Sequence, residues 1–266
     1  MITARQDPPI SYDKVVNRRK YCSIHFHRQH ELYYLMNGGT KYLVGDEIFH
    51  LETGDFILVP QGTLHQADSE TCLHNERLLL SFEDDIIDAE TRPFFDQLCA
   101  CKLIHIPVNK RAVAEELLRK LQAEFEKPDA FQTVLTRLYT LELLTLLCRL
   151  KCDYTPKETE SDRIIHTVLE YIRQNYSQEL TLKTLSRHFA LSESCLSRKF
   201  KAVAGVGISE YITNVRIHHA AQLLTETDCS ITEVAARCGY NDSNYFASVF
   251  KKIKGITPLK YSKSGT

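Results

Sequence analysis

The spacing of hydrophobic and polar positions changes once along the chain, near residue 106. Before that point, short apolar segments alternate with turn signals at Asn37-Gly38-Gly39, Gly45-Asp46 and Thr53-Gly54-Asp55. Such segments, separated by turns rich in Gly, Asn and Asp, predict antiparallel strands that form a small barrel or sandwich. We therefore expect a β-barrel in residues 1–106.

After residue 106 the apolar positions recur with the period of a helix. Val113, Leu117 and Phe125 indicate one helix, and the leucine-rich segment from about Phe131 to Arg149 indicates a second. The leucines of the second helix cover more of its circumference than one core face requires, so a further surface must cover them. Two interpretations remain open: residues 107–151 cap the barrel, or they form the contact of a homodimer.

The segment 152–162, CDYTPKETESD, is polar, contains a proline and has no periodicity, which predicts an interdomain linker. From residue 163 to residue 266 the pattern predicts helices alone. We therefore expect an α+β fold: an N-terminal antiparallel β-barrel with two helices, then a C-terminal all-α domain. The expected helices of that domain are Arg163–Tyr176, Thr181–His188, Glu193–Ala204, Ile208–Thr225, Ile231–Cys238 and Ser243–Lys254, followed by a short turn near Leu259.

An internal repeat divides the C-terminal domain into two copies. Leu182 and Leu185 recur 49 residues later as Ile231 and Val234, and matching positions from residue 196 onward recur 50 residues later. Each copy is a short helix, a tight turn and a longer helix, which is the order of a helix-turn-helix motif. In such a motif the second helix enters the major groove of DNA. The residues suited to cap these second helices are Ser192 in the first copy and Asn241 or Asp242 in the second.

The longer helix of each copy is expected to turn a polar, basic face outward. Its apolar positions, Leu196 and Phe200 in the first copy and Phe246 and Phe250 in the second, face the core. The candidate base-reading residues, whose side chains match base edges, are Ser194, Ser197, Arg198, Ser243, Asn244, Ala247 and Ser248. The candidate phosphate contacts, which supply affinity but no sequence information, are Lys199, Lys201, Lys251, Lys252 and Lys254.

Helix length and charge support a DNA-binding C-terminal domain. The connecting helix from Ile208 to Thr225 would span about 27 Å, which can hold two recognition helices roughly one DNA turn, about 34 Å, apart. The whole chain carries 33 Lys+Arg and 34 Asp+Glu, whereas residues 161–266 carry 14 Lys+Arg and 9 Asp+Glu, a net charge of +5. A basic part beside an acidic part predicts that only the basic part binds a polyanion.

Residues 163–262 contain a specific set of positions beyond the repeat itself: Arg216, Ala220–Leu224, Ile231–Gly239, Tyr245-Phe246, Phe250-Lys251-Lys252, Gly255-Ile256-Thr257-Pro258 and Tyr261. These residues resemble the signature region of the AraC family of transcription regulators. Ser262 departs from the family, which commonly has Arg at that position. The resemblance implies that the domain binds double-stranded promoter DNA and regulates transcription, usually as an activator that contacts RNA polymerase.

The N-terminal half contains a second constellation, His25-x-His27-x3-Glu31-x6-Gly38 followed by Gly54-x5-Pro60-x-Gly62-x2-His65. It resembles the two motifs of the cupin barrel, with Arg19 and Ser69 in place of the leading Gly and the closing Asn. In that family the positions that match His25, His27, Glu31 and His65 bind a divalent metal ion.

The chemistry of these four residues leaves more than one role open. On one strand His25 and His27 would point to the same side, and three nitrogens with one oxygen suit Zn, Mn, Fe or Ni. Alternatively, the residues line a pocket for a small-molecule effector, or they only form hydrogen bonds inside the barrel. Tyr33, Tyr34 and Tyr42 near an open barrel mouth would suit a carbohydrate or another small polar effector.

Together these features predict a sequence-specific DNA-binding transcription regulator, controlled by an effector in a cupin-like barrel, dimeric and without enzyme activity. Two alternatives remain: a metal-dependent cupin enzyme fused to a DNA-binding module, and a DNA-binding protein that needs no ligand. No apolar segment approaches the roughly 18 to 20 residues of a membrane span, and the N-terminus lacks the pattern of a signal peptide. We therefore expect a cytoplasmic protein with no membrane partner.

Overall fold

The computed structural model describes residues 9–16, 24–68, 75–150 and 159–263. Arg19, Ser69 and most of the predicted linker lie outside these ranges. The chain divides into two compact units. The first contains most of residues 1–157, and the second contains residues 158–266 together with the short segments 23–25 and 43–48.

The described strands form two sheets, which confirms the β-architecture that the turn signals predicted. The strands are β1 (Ile10–Val16), β2 (His30–Asn37), β3 (Gly39–Val44), β4 (Glu47–Glu52), β5 (Asp55–Val59), β6 (His65–Asp68), β7 (Glu76–Phe82) and β8 (Leu103–His105). A five-stranded sheet has the order β1-β7-β2-β5-β8, with antiparallel neighbours, and a three-stranded sheet has the order β4-β3-β6.

The five-stranded sheet buries side chains on both of its faces. On β2, Leu32 and Tyr34 point to one face and join a hydrophobic core shared with the helices of the first unit. Glu31 and Tyr33 point to the opposite face because side chains alternate along a strand. There Glu31 accepts a hydrogen bond from the hydroxyl of Tyr42 on β3. We call this second face the barrel interior.

Three helices of the first unit pack on the face of the sheet that carries Leu32 and Tyr34: α1 (Arg92–Cys101), α2 (Val108–Glu126) and α3 (Gln132–Leu150). The sequence predicted α2 and α3, but α1 is a correction, because strands and turns were expected up to residue 106. Only Phe95 and Leu98 of α1 are buried, and two apolar positions do not distinguish a short helix from a strand. Pro93 is compatible with the first turn of a helix, where its missing N–H would be unsatisfied in any case.

Helix α3 has one buried side and one exposed side. Leu143, Leu144 and Leu147 are buried in the core of the first unit, so one side of α3 caps the barrel. Val134 and Leu138, one helical turn apart, are 58% and 55% exposed. This second side is the surface on which the predicted homodimer contact depends.

The second unit is helical, as predicted. Its helices are α4 (Glu160–Asn175), α5 (Leu182–His188), α6 (Glu193–Ala204), α7 (Ile208–Glu226), α8 (Ile231–Arg237), α9 (Ser243–Lys254) and α10 (Pro258–Lys263). The start of α4 differs from the predicted Arg163 because Thr159 and Asp162 form a capping box at its N-terminus. Within the part of the chain that the structure describes, no helix has both the length and the apolar character needed to cross a membrane.

Arg216 on α7 ties together three segments of the second unit. Its Nε donates to the carbonyl oxygen of Tyr176 at 2.8 Å, and its Nη2 donates to the carbonyl oxygen of Gln178 at 2.7 Å. Its guanidinium also lies 5.5 Å from the centre of the Tyr240 ring. Arg216 therefore positions the chain between α4 and α5 against the turn of the second helix-turn-helix motif.

We expect Gly239→Ala to destabilise the second unit by roughly 3 kcal/mol, because it adds a steric clash to backbone strain. Gly239 has a φ of +78°, and a Cβ at this position would lie 2.7 Å from the carbonyl oxygen of Ser177. Gly255→Ala is the matched control, because Gly255 has a φ of +76° and nothing within 4 Å of an added Cβ. Chemical denaturation measures both, and equal losses would mean that the Ser177 segment moves aside.

We expect the protein to lose stability in mild acid because of the buried His218 on α7. Burial first, and then the charges of His219 and Lys254, lower the pKa of His218 to about 4. The unfolded chain, with a His pKa near 6.5, therefore binds more protons than the folded one in this window. The contribution of His218 to stability is fully present above about pH 6.5. It is lost as the pH falls towards 4, which lowers the free energy of unfolding by at most about 3 kcal/mol.

Denaturation of the wild type and two variants between pH 7.5 and pH 4.5 measures this effect. We expect His218→Gln to flatten the decline, since glutamine does not titrate. His188→Gln is the control, because His188 is exposed at the end of α5 and should leave the decline unchanged. If His218→Gln declined as steeply as the wild type, another group would be responsible.

Candidate nucleic-acid interface and barrel cluster

Helix α6 has the bounds that the sequence predicted because both of its ends are capped. The side chain of Ser192 accepts a hydrogen bond from the backbone N–H of Cys195 at 3.2 Å. Gly205 ends the helix in the left-handed conformation, with a φ of +76°. Leu196 and Phe200 are fully buried. The predicted outer face is exposed at Ser194, Ser197, Arg198 and Lys201, whereas Lys199 is half-buried.

Helix α9 repeats this construction fifty residues later. Asp242, rather than Asn241, is its cap, accepting hydrogen bonds from the backbone N–H groups of Asn244 at 2.7 Å and Tyr245 at 2.9 Å. Phe246 and Phe250 are fully buried. Of the predicted residues, Asn244, Ser248, Lys251 and Lys252 are exposed, and Ser243, Ala247 and Lys254 are half-buried.

The lysines of α9 have a structural role available to them besides phosphate contact. Lys251, Lys252 and Lys254 lie in the last turn, where positive charge interacts favourably with the helix dipole. The ammonium of Lys254 also lies 5.7 Å from the centre of the Tyr261 ring. The exposed Lys251 and Lys252 are therefore better placed to reach a phosphate than Lys254.

Tyr245 is an exposed residue on α9 to which the sequence assigned no function. Its side chain is 63% exposed, although the aromatic residues Phe246 and Phe250 on the same helix are buried. A phenolic hydroxyl on this face can bond to a phosphate or a base edge. Its position in the sequence could have predicted this exposure, because a residue directly beside a buried one on a helix points about 100° away from it.

In the first unit, two histidines, a glutamate and a tyrosine meet in the barrel interior. The Nε2 of His27 lies 3.5 Å from Glu31 Oε2, and the Nε2 of His65 lies 4.0 Å from Glu31 Oε1. The hydroxyl of Tyr42 donates to Glu31 Oε1 at 2.8 Å. Burial raises the pKa of Glu31, but the hydrogen bond from His27, the charge of His65 and the hydroxyl of Tyr42 together lower it to about 2. The cluster therefore contains an ionised, buried carboxylate at neutral pH.

The donor set of this cluster fits a divalent metal ion. The ligating atoms of His25, His27 and His65 lie within 4.8 Å of one another, and Glu31 supplies an oxygen beside two of them. The expected strand carrying His25 and His27 is wrong, because β2 begins only at His30 and the backbone before it is irregular. The structure nevertheless brings the four predicted residues together, and three nitrogens with one carboxylate suit Zn or a similar metal.

His30 and Tyr34 lie on the opposite face of the sheet. The Nε2 of His30 is 2.9 Å from Asp84 Oδ1, and its ring packs on Phe82. Tyr34 was expected near the barrel mouth, but it is buried against α2, where its hydroxyl donates to Glu115 at 2.7 Å. That expectation is wrong because Tyr34 and Tyr33 are neighbours on one strand and point to opposite faces.

Comparison with known proteins identifies both halves of the chain. The profile of a helix-turn-helix domain matches residues 185–264, and that of a cupin domain matches residues 16–72. The uncharacterized HTH-type transcriptional regulator YfiF of Bacillus subtilis is 30% identical over 242 residues, 88% of this chain and 77% of that protein. The HTH-type transcriptional activator RhaR of Mannheimia succiniciproducens is 27% identical over 249 residues, 92% of this chain and 90% of that protein.

Among solved structures, the C-terminal domain of AraT from Geobacillus stearothermophilus is similar over 40% of this chain and 88% of its own, with 33% identity and a TM-score of 0.39. Two helix-turn-helix motifs beside a cupin barrel define a class of protein, the DNA-binding transcription regulators. Within that class, the chain belongs to the AraC family. The family resemblance predicted from the sequence is thereby confirmed.

Proposed function

We propose that the protein is an effector-controlled transcription activator whose α6 and α9 read two successive major grooves of promoter DNA. The observation that carries the proposal is the repetition of one construction in α6 and α9. Each helix is capped at both ends, buries an apolar face that includes Phe200 in α6 and Phe250 in α9, and exposes a short polar and basic face. The 19 residues of α7 between them span about 28 Å, close to one turn of DNA.

In this proposal the two helices divide base reading and phosphate contact among the predicted residues. Arg198 reads a guanine, Asn244 reads an adenine and Ala247 contacts a thymine methyl group. Lys201, Lys251 and Lys252 contact phosphates, with Lys199 and Lys254 as weaker contributors because they are half-buried. The serines of both helices, Ser194, Ser197, Ser243 and Ser248, accept from or donate to base edges.

The test is a genome-wide footprint of the wild-type protein beside the double variant Arg198→Ala, Asn244→Ala in the native host. We expect occupancy of one or a few promoters, each with two motifs in the same orientation about one helical turn apart. We expect the double variant to lose these peaks and the transcription of the neighbouring genes. The same peaks with both proteins would contradict the proposed readers.

We propose that the barrel interior binds the effector and that binding changes how the two DNA readers of a dimer are presented to DNA. The polar cluster of His25, His27, Glu31 and His65 supports this, because a small molecule could bond to it directly or through a divalent metal held by the same four residues. We propose a binding role for these four residues and no catalytic role. The relative RhaR is an HTH-type transcriptional activator, which supports activation and, with it, contact with RNA polymerase.

We propose that the exposed side of α3 forms the homodimer contact. The wild type should sediment as a dimer and Leu138→Glu as a monomer, because a carboxylate would be buried at the contact without a partner. Lys127→Glu, an exposed change just after α2, is the control and should remain dimeric. A monomeric wild type, or a dimeric Leu138→Glu, would contradict this part of the proposal.

A regulator of promoter DNA acts where the chromosome lies, so we propose a cytoplasmic location.

A further inference from the structure

A cavity of about 420 Å³ lies in the first unit, beside the edge strand β1. It is bounded by the start of β1, the short turn Asp84–Ile86 after β7, the end of α2 and the first two turns of α3. Small-molecule sites typically measure about 300–1,000 Å³. Ile10 and Ile86 line the cavity and belong to the core that contains Leu32. The cavity therefore lies on the opposite side of the sheet from the Glu31 cluster.

The sequence of α3 explains why the core does not fill this space. The buried face of α3 carries Leu143, Leu144 and Leu147 in its second half, but Thr136 and Thr140 in its first half. Residues three and four apart share one face of a helix, so threonine stands where the later turns have leucine. The shorter side chains leave room between the start of α3 and the sheet, and Thr136 lines the cavity there.

The hydroxyls of this helix face give the cavity hydrogen-bond acceptors. Thr136 is 4% exposed, and its Oγ1 donates to the carbonyl oxygen of Gln132 at 2.8 Å. A hydroxyl that has donated its one hydrogen can still accept through the lone pairs of its oxygen. Thr133, one turn earlier, also lines the cavity and is exposed. The threonine face of α3 can therefore accept from the N–H groups of a ligand.

Two opposite charges lie at the open side of the cavity. Asp85 and Arg137 both line it and are exposed. Ile10, Ile86 and Thr136, by contrast, are buried and form its floor. A guanidinium can donate two parallel hydrogen bonds to a carboxylate, and a carboxylate can accept from an ammonium. The opening thus offers a partner to each charge of a zwitterion.

An aromatic ring forms one wall of the cavity. Phe125 at the end of α2 lines it and is half-buried. Its ring stacks on that of Tyr12, with centres 5.8 Å apart, and the Tyr12 hydroxyl donates to Gln122 Oε1 at 3.3 Å. These contacts hold the wall in place. An apolar or aromatic group can pack against it, since aromatic pairs gain energy beyond the area that they bury.

We propose that this cavity binds an α-amino acid with an apolar or aromatic side chain. The carboxylate of the ligand pairs with Arg137, its ammonium donates to Asp85 and Thr136, and its side chain packs on Phe125. The inference goes beyond the proposed function, because this site is separate from the cluster in the barrel interior. Thr133 and Arg137 lie on α3, so an occupant contacts the helix that carries the proposed homodimer contact.

The test measures the binding of L-phenylalanine to the full-length protein by isothermal titration calorimetry. Hydrocinnamate, which lacks the ammonium, and phenethylamine, which lacks the carboxylate, are the comparison ligands. We expect each to bind at least about fivefold more weakly than L-phenylalanine, because each leaves one charged side chain without its partner. No binding of L-phenylalanine, or equal affinity for either comparison ligand, would overturn the inference.

Variants of the lining residues locate the ligand. Arg137→Met and Asp85→Asn should each weaken binding at least about fivefold, and Thr133→Phe should abolish it by filling the cavity. All three positions are exposed, so the variants should melt close to the wild type. Arg119→Met is the matched control, because it removes a charge that is 68% exposed on α2 and outside the cavity. Wild-type affinity in both Arg137→Met and Asp85→Asn would overturn the inference.

A variant of the barrel cluster separates the two sites. Glu31→Gln keeps the size of the side chain and lies on the opposite face of the sheet, so it should bind L-phenylalanine as the wild type does. Loss of binding in Glu31→Gln, with binding kept in Arg137→Met, would place the ligand in the barrel interior and overturn the inference. The proposed effector site would stand in that case, so the two failures are distinguishable.

Discussion

Arg198→Ala is expected to weaken binding to the cognate operator by about 1–3 kcal/mol, or roughly 5- to 150-fold. Arg198 is exposed on α6, which we propose to be a recognition helix with Arg198 facing the base edges. Its guanidinium can donate two parallel hydrogen bonds to the O6 and N7 atoms of guanine, which no other base pair offers in that pattern. Titration of operator DNA, followed by a binding-site selection, measures the affinity and the lost base preference.

The controls separate base reading from charge. Lys252→Ala, an exposed lysine in the last turn of α9, should weaken binding to specific and random DNA alike and reduce the dependence on salt. Arg198→Lys keeps the charge but loses the paired donors, so it should restore affinity for random DNA and not the base preference. A uniform loss across all DNA sequences with Arg198→Ala would remove Arg198 from the base-reading residues.

The second unit was predictable from sequence because its determinants are local. Ser192 and Asp242 cap the recognition helices, and Gly205 and Gly255 end them. Each of these residues acts within a few positions of itself, so a sequence pattern can reveal it. The repeat then gave the second copy the same interpretation as the first.

The alignment of the two copies of the repeat could have predicted one residue with a strained backbone. Ala190 matches Gly239 and has a φ of +52°, although an alanine rarely adopts that conformation. The glycine of the second copy indicated that the turn needs a left-handed residue. The first copy keeps the turn without glycine, so the surrounding contacts, such as the bond from Leu191 N–H to the Ser186 carbonyl oxygen at 2.9 Å, must hold it.

The barrel site was predictable only in part, because its residues come together through long-range pairing. The motif spacing identified His25, His27, Glu31 and His65, but the irregular backbone before β2 could not be inferred from alternation. Arg77 on β7 lies outside both cupin motifs. Its burial depends on the pairing of β7 with β2, more than forty residues away along the chain, and such pairing leaves no local signal.

Phe250→Ala should have the largest effect on the fold, a loss of about 3–5 kcal/mol in the free energy of unfolding of the second unit. Phe250 on α9 is fully buried. Its ring centre lies 5.7 Å from that of Phe246 and 5.3 Å from that of Tyr261, so it joins α9 to α10. Truncation to alanine removes these contacts and leaves a cavity that the short helix α10 cannot fill. Since small domains are stable by only about 5–15 kcal/mol, such a loss is a large part of the total.

The consequence for DNA binding should be confined to one half of the operator. In the Phe250→Ala variant α9 is no longer held in place, while Phe200 still anchors α6. We therefore expect a footprint that protects the motif read by α6 and not the motif read by α9. Tyr245→Ala is the matched control, because Tyr245 is 63% exposed on the same helix and its removal should change stability by less than about 0.5 kcal/mol. Loss of both motifs together in Phe250→Ala would mean that the two copies fold as a single cooperative structure.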